Sequence, residues 1–292
     1  MLKTLALTGA ATALLAGTAL AADLPVRAAP PVFTPVPVFT WTGFYAGLHT
    51  NYAFTDRQRI TTRGNDLAPT NTIANVATNR RPAVVFNETD GLANIGGGFG
   101  YNYQFTPGSG FVVGIQTDWA WTDLSKRTVF FSALNDPSLF QQSLDWLGTV
   151  TGRVGYAFDR FLVYGMGGFA YGNVEYSASF FSNAAGNPLA YAGRFNDLQT
   201  GFAYGGGIEY AIPTDSFLAR FNVLGLLGIK SEAVTLKAEY LRYDLGSRNV
   251  IVSSINPATG ATFTAATGSY TSRFSTEGNL VRAGVNYKFG SF

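Results

Sequence analysis

The few side chains of this 292-residue chain that could do chemistry do not form a catalytic pattern. His49 is the single histidine, and cysteine does not occur. A general base needs a positioned partner and access to substrate, and no serine–aspartate constellation accompanies His49 in the sequence. The glycine run at 96–100 lies inside an alternating segment and precedes no helix, so it does not predict a phosphate loop. We therefore expect no enzyme activity, no cofactor and no metal site.

Five charged residues that stand singly among small and polar residues are stronger candidates for a functional role. They are Arg153, Glu209, Lys237, Glu239 and Arg282. Each occupies the less apolar side of a segment in which apolar and polar residues alternate, as they do on a strand with two different faces. Unpaired charges in a narrow interior would cost several kcal/mol each. We therefore expect a lumen charge network, in which Glu209 pairs with Lys237 and Glu239 pairs with Arg282.

Eight alternating segments would position these charges. The clearest is 146–172, WLGTVTGRVGYAFDRFLVYGMGGFAYG, where apolar residues or glycines fill every second position. Its Asp159-Arg160 dipeptide predicts a two-residue β-hairpin turn that places Phe158 opposite Phe161. The eight segments are 41–54, 91–105, 111–122, 146–158, 161–172, 200–212, 234–245 and 280–289.

The connections between these segments alternate in length. Two are tight, at 106–110 and 159–160, and four are long and polar, at 55–90, 123–143, 173–199 and 246–279. Short turns at one end and long loops at the other are typical of an outer-membrane β-barrel. Segment 213–232 is too long for the tight turn expected there, and it leaves eight strands or ten strands open.

The composition favours a membrane barrel over a soluble one. Charged residues make up 13% of the chain and aromatic residues 15%. A soluble barrel of the lipocalin kind needs a charged exterior, whereas the second face here is mostly Gly, Thr and Asn and suits a narrow lumen. We predict an all-β, antiparallel, up-and-down transmembrane β-barrel of about eight strands, with aromatic girdles that include Trp41. The net charge of +2 and the lack of Lys/Arg clusters exclude a nucleic-acid partner.

The chain begins with features of an export signal. Lys3 supplies the positive start, residues 5–15 the apolar stretch, and Ala19-Leu20-Ala21 a small-residue cleavage site. Five prolines between 25 and 37 favour an extended conformation. We expect a signal peptide at 1–21, a Pro-rich periplasmic spacer at 22–40 and the barrel at 41–292.

Five stretches resemble one known family: WTGFYAG at 41–47, GTVTGRVGYAFDRFLVYGMGGFAYG at 148–172, GGGIEYAI at 205–212, LKAEYLRYDLG at 236–246 and VRAGVNYKF at 281–289. The chain resembles the small outer-membrane β-barrel proteins of alphaproteobacteria, the porin or outer-membrane immunogenic protein family, with an OmpA-like eight-stranded barrel. It departs from the family's pattern in segment 213–232 and in the three residues that follow Phe289.

The resemblance implies a place in the bacterial outer membrane, with lipid and lipopolysaccharide as surroundings. It also implies insertion by the barrel assembly machinery. An alternating row in the last segment is similar to the C-terminal assembly signal of this class: Val281, Ala283, Val285, Tyr287 and Phe289.

Two functions fit these expectations. The first is a structural, surface-exposed barrel that anchors long extracellular loops for envelope integrity or for interaction with host or surface ligands. The second is a small-solute porin, and the two differ in whether the lumen is open. Five loop arginines either contact lipopolysaccharide phosphates or lie in a solvated loop: Arg57, Arg59, Arg63, Arg80 and Arg81.

Overall fold

The computed structural model describes residues 38–55, 57–87, 90–213, 234–256, 259–263 and 267–289, without the side chains of 90–93, 123 and 263. The expected signal peptide and most of the expected spacer lie outside these residues, as does nearly all of segment 213–232. The barrel unit begins at Val38, so the last residues of the expected spacer belong to it.

The described chain consists of eleven strands and one short helix. They are β1 Gly43–Phe54, β2 Gln58–Gly64, α1 Thr72–Ala77, β3 Val84–Asn87, β4 Asp90–Gln104, β5 Ser109–Phe131, β6 Pro137–Phe158, β7 Phe161–Phe181, β8 Leu189–Ala211, β9 Val234–Ile255, β10 Thr262–Phe263 and β11 Ser269–Phe289. No helix in these ranges has the length and apolarity of a membrane span.

Eight strands close into a ring in the order β1, β4, β5, β6, β7, β8, β9 and β11, and every pairing is antiparallel. The last strand closes the ring because β11 pairs with β9 on one side and with β1 on the other. Beyond the end of β1, β11 pairs instead with β2, which in turn pairs with β3. Strands β2 and β3 thus continue the wall of β1 and β4, and the predicted eight-stranded up-and-down barrel is confirmed.

The tight connections also appear where they are expected. Phe158 lies opposite Phe161, and Asp159 between them has a φ of +54°, in the left-handed region that such turns use. The β4–β5 turn contains Gly108 at a φ of +77°. In outer-membrane barrels such short turns lie at the periplasmic end, and we name this end of the barrel accordingly.

The prediction of long loops at the other end is wrong for three of the four segments. Segments 123–143, 173–199 and 246–279 are mostly strand, because β5 to β9 and β11 are each 21 to 23 residues long. A strand of about ten residues suffices to cross the membrane. The barrel wall therefore continues far beyond the lipid as an extracellular extension.

The polarity of the two barrel faces differs between the part in lipid and the extension. In lipid the outer face is apolar, whereas in the extension the inner face is apolar. On the lower part of β6, Val150 and Val154 point outward and Arg153 inward. A register shift between Leu144 and Trp146 reverses the parity, so that Phe140 and Leu144 are buried inside. Outside lipid, the exterior is wet and the interior can hold an apolar core.

That upper core is rich in aromatic side chains. Phe140 contacts Phe180 with ring centroids 5.7 Å apart, and Tyr176 stacks on Phe274 at 5.0 Å. Tyr270 meets Phe180 edge to face at 5.1 Å. This aromatic core fills the extension above the membrane.

The lower exterior is an apolar belt. Its large exposed side chains include Phe44, Leu48, Ile95, Phe99, Phe111, Ile115, Val154, Phe169, Phe202 and Val285. Trp119 and Trp121 pack against each other at its upper margin. Trp41 does not join an interfacial girdle as expected, because it is buried in the barrel end.

Candidate functional site

The site is a group of charged side chains enclosed by the lower barrel, which we call the interior network. It consists of Asp118, Arg153, Glu209, Lys237, Glu239 and Arg282, all of which are buried. Three cations thus meet three anions. Each residue sits on the inward face of a strand, where alternation turns the neighbouring apolar side chains toward lipid.

Arg153 holds one half of the network. Its Nε donates to Asn102 Oδ1 at 2.7 Å, and its Nη1 donates to Gln116 Oε1 and to Glu209 Oε2, both at 3.3 Å. Glu209 also accepts a bond from Asn286 Nδ2 at 2.8 Å. The Glu209 carboxylate is therefore bound both by Arg153 of β6 and by Asn286 of the last strand.

Two tyrosine rings enclose the guanidinium of Arg153. Its Cζ lies 4.6 Å from the ring centroid of Tyr45 and 4.8 Å from that of Tyr164. Aromatic faces attract a cation most strongly when water is excluded. Arg153 is thus fixed in position by rings as well as by hydrogen bonds, across the middle of the lumen.

Asp118 and Glu239 hold the other half. Asp118 accepts from Arg282 Nη1 at 3.0 Å and from Lys237 Nζ at 3.3 Å. Glu239 lies 3.6 Å from Lys237 and 3.5 Å from Arg282, and its Oε1 accepts from Tyr164 at 2.8 Å. Because each of these two cations lies between two carboxylates, this half has no isolated charge.

The structure brings together all five charges singled out from the sequence, but one of the two expected pairs does not form. Glu239 lies beside Arg282 as expected. Glu209 faces Lys237 in the register of β8 and β9, yet it bonds to Arg153, while Lys237 reaches Asp118 across the lumen. Register sets which residues are neighbours on a wall, but long side chains also reach the opposite wall of a narrow barrel.

Sequence reasoning missed the central carboxylate, Asp118. Asp118 lies two residues after Gln116 on β5, and the same parity rule that selected Arg153 places both side chains inward. Tyr45 and Tyr164, whose rings enclose Arg153, were missed for a different reason, because an inward tyrosine looks like any aromatic of an alternating strand.

Glycines make room for these side chains. A Cβ on Gly96 would lie 2.4 Å from His49, one on Gly98 would lie 2.4 Å from Asp118, and one on Gly100 would lie 2.4 Å from Tyr45. All three distances are too short for real contacts. The glycine run therefore relieves crowding in the lumen, in agreement with its position inside a strand.

His49 lies at the edge of the network. Its Nε2 is 3.4 Å from Asp118, and the imidazole is buried. Within the described ranges, no group of three or more His, Cys, Asp or Glu side chains is placed to hold a metal ion.

The periplasmic end of the lumen is occupied by the chain segment that precedes β1. Phe39 and Trp41 are buried there. Trp41 Nε1 donates to the carbonyl of Asp159 at 3.0 Å, and the carbonyl of Phe39 accepts from Gly108. Lys288 Nζ donates to the carbonyl of Thr40 at 2.5 Å. The segment thus contacts two periplasmic turns and the last strand.

The extracellular end is covered by residues 65–83, which we call the cap segment and which contains α1. On one side, Asn75 Nδ2 donates to Tyr270 of β11 at 2.9 Å. On the opposite side, Arg81 donates to the carbonyls of Pro137 on β6 and Phe181 on β7, at 3.1 and 2.6 Å. The cap segment therefore spans the mouth above the aromatic core.

Two of the five loop arginines take part in this closure. Arg80 Nε donates to Asp136 at 2.5 Å, and Arg81 is almost fully buried with Asp136 at 3.8 Å. Burial lowers the pKa of Arg81 below its usual value. The expectation that all five could meet lipopolysaccharide is therefore wrong for Arg81. Arg59 and Arg63 are exposed on β2.

The alternating row of β11 lies on the outer face beside β1. Phe289 is opposite Phe44, Tyr287 is opposite Ala46, and Val285 is opposite Leu48. The other two members of the row, Ala283 and Val281, follow the same face upward. The row thus forms part of the lipid-facing belt at the seam that closes the ring.

Three known outer-membrane proteins are similar to this chain in sequence or in structure. The chain is 28% identical over 252 residues to the 31 kDa outer-membrane immunogenic proteins of Brucella melitensis and Brucella suis, covering 86% of this chain and 84% of each relative. No protein-family model matches the sequence. Among solved structures, the outer membrane protein OprG of Pseudomonas aeruginosa aligns with 86% of this chain and 97% of its own, at 13% identity and a TM-score of 0.47. The chain is an integral outer-membrane β-barrel protein, similar over most of its length to the outer-membrane immunogenic proteins of Brucella.

Proposed function

We propose that the protein is a closed-lumen surface barrel, whose work is done by the extracellular extension and not by transport through the pore. The observation that carries this proposal is the filling of the interior at four levels. The segment before β1, the interior network, the aromatic core and the cap segment follow one another from the periplasmic to the extracellular end. Eight strands enclose just enough space for their own side chains.

The small-solute porin is the alternative, and conductance separates the two. Refolded protein in planar bilayers should give small or flickering currents. Arg153→Ala or Glu209→Ala should enlarge them, because each removes a side chain that crosses the lumen. Arg273→Ala is the matched control, since Arg273 is exposed on the outer face of β11. A large, steady current from the unmodified protein would refute the closed lumen.

We further propose that the protein is not an enzyme and needs no cofactor or metal. The support is the position of the one histidine, beneath the aromatic core and beside a carboxylate already engaged by Arg282 and Lys237. Substrate could not reach His49 without displacing the packed interior. The interior network is accordingly proposed to be structural.

The partners follow from this architecture. The apolar belt lies in outer-membrane lipid, and we propose that exposed Arg59 and Arg63 bind lipopolysaccharide phosphates above it. The barrel assembly machinery is proposed to recognise the outer row of β11. The extracellular extension is the surface proposed to meet host or surface ligands, and no nucleic-acid partner is proposed.

A further inference from the structure

The tip of the β5–β6 hairpin exposes apolar side chains far from the lipid belt. This tip, residues 129–134 with the sequence VFFSAL, includes Phe131 at 61% exposure and Leu134 at 56%. Val129 is also exposed, on the same outer face as Phe131. Large apolar groups in water usually mark a surface that contacts something else.

The tip stands well clear of the protein's own membrane. Phe131 of the tip lies ten residues beyond Trp121, which marks the upper margin of the apolar belt. At about 3.3 Å per residue the strand covers roughly 33 Å. With the usual strand tilt of about 40°, the tip lies roughly 25 Å above the outer-membrane lipid. Its apolar side chains therefore do not serve to anchor the barrel in its own bilayer.

The turn holds these side chains outward by a set of local hydrogen bonds. Leu134 N donates to Ser132 Oγ at 3.1 Å, and Ser132 Oγ donates to Asp136. Asn135 has a φ of +58° and donates its N–H to the carbonyl of Ser132. Asn187 of the next turn donates to the carbonyl of Asn135 at 3.0 Å. The hydrogen bonds of the turn thus fix the conformation in which the apolar side chains are exposed.

The charges around the tip select the kind of surface that it fits. Lys126 and Arg127 are exposed just below it, on opposite faces of the same strand. The acid of the turn, Asp136, is buried and bound to Arg80, so it does not offset these cations. Apolar and aromatic side chains backed by exposed Lys and Arg are typical of segments that insert into anionic bilayers.

We propose that the β5–β6 tip inserts into an anionic lipid surface opposite the bacterium, with Phe131 and Leu134 in the acyl boundary and Lys126 and Arg127 at the headgroups. This inference rests on the proposed surface function and names the class of its partner. Contact with a second copy is disfavoured because it would bring the exposed Lys126 and Arg127 of one copy close to those of the other.

The absence of native cysteine makes insertion directly measurable. A Leu134→Cys variant of the full chain, carrying an environment-sensitive dye and reconstituted in zwitterionic nanodiscs, is mixed with vesicles. The dye should shift to shorter wavelengths with vesicles of phosphatidylcholine and phosphatidylserine, and less with phosphatidylcholine alone. Ile251→Cys is the matched control, because Ile251 is equally exposed but lies on β9, across the ring. Its dye should not shift.

Binding variants provide a second measurement by vesicle flotation. The double change Phe131→Ser and Leu134→Ser should weaken binding to anionic vesicles by about tenfold or more, because it removes two inserted apolar groups. Lys126→Gln with Arg127→Gln should weaken it by roughly tenfold to thirtyfold and abolish its salt dependence. Ile251→Ser should bind like the unmodified protein.

Several results would overturn the inference. One is a dye at position 134 that does not respond to anionic vesicles. Another is unchanged flotation of the Phe131 and Leu134 variant, and a third is tip-dependent self-association without lipid. A current measurement on the same preparation separates the closed-lumen proposal from the lipid-partner proposal. A barrel that carries only small currents but does not bind vesicles refutes only the lipid partner.

Discussion

Glu239 shows at the scale of a residue why the interior network resists change. It lies within 3.6 Å of Lys237 and Arg282, and it also accepts a bond from Tyr164. Removing one partner of a buried ion pair leaves the other charge uncompensated, which costs about 3 to 5 kcal/mol. Glu239→Gln should lower the free energy of unfolding by that amount, measured by urea denaturation of the refolded barrel.

The control for this prediction is Glu175→Gln. Glu175 pairs with Arg194 at 2.9 Å, but both lie on the solvated outer face of the extension. Exposed pairs contribute at most about 1 kcal/mol. Equal losses from the two variants would contradict the structural role of the network.

Asp136 should make the extracellular end sensitive to acid. Burial alone would raise the pKa of Asp136, but bonds from Ser132 and Arg80 and the charge of Arg81 outweigh it and hold the pKa below its usual value. The stabilisation is complete above the unfolded carboxyl pKa of about 3.9 and is lost as pH falls further, through the folded pKa.

Limited proteolysis with pepsin can test this behaviour, since it works in acid. The cap segment should become cleavable only as the pH falls below about 4. Asp136→Asn should make it cleavable by trypsin already at neutral pH, whereas Asp145→Asn, at an exposed carboxylate, should not. A cap segment that is equally protected in all three proteins would refute the role of Asp136.

At the scale of the element, β11 carries the clearest expectation for assembly. Phe289 lies opposite Phe44 at the closing seam and packs edge to face on Tyr287 at 4.9 Å. Phe289→Ala should therefore reduce the heat-modifiable, membrane-inserted fraction more than Phe292→Ala, whose position lies outside the described residues. If only the Phe292 change blocks insertion, the assembly signal does not end at Phe289.

The strands could be predicted from the sequence only in the part of the barrel whose outer face contacts lipid. There the outside must be apolar and the inside small or polar, so the alternation is strong and the eight segments and the Asp159-Arg160 turn are found. Above the lipid, the outside is polar and the inside apolar, and a register shift on β6 reverses the parity. Strands of mixed polarity such as 124–131 then resemble loops.

The candidate site could likewise be predicted only in part. The inward face of Arg153, Glu209 and Arg282 could be predicted from parity alone. The partners of Glu209 and Lys237 could not, because these depend on how far each side chain reaches across the lumen and on the glycines opposite it. The position of Phe39 and Trp41 in the barrel end could not be predicted either. A proline-rich stretch contains no signal that the residues at its end are buried inside the barrel.

At the scale of the whole molecule, the mature chain should retain the segment that closes the periplasmic end. The Ala19-Leu20-Ala21 triplet predicts cleavage after Ala21, in a part of the chain outside the described residues. N-terminal sequencing of membrane-extracted protein should read from Ala22. A mature chain that still begins at Met1 would contradict export by a cleaved signal.

The interior network and the side chains that contact it together come from every strand of the ring. Tyr45 comes from β1, Asn102 from β4, Asp118 from β5, Arg153 from β6, Tyr164 from β7, Glu209 from β8, Lys237 from β9 and Arg282 from β11. A strand that is missing or out of register would therefore remove partners from buried charges, which costs free energy. We therefore expect the network to favour the complete and correctly registered ring during assembly, because only in that ring does every buried charge have its partner.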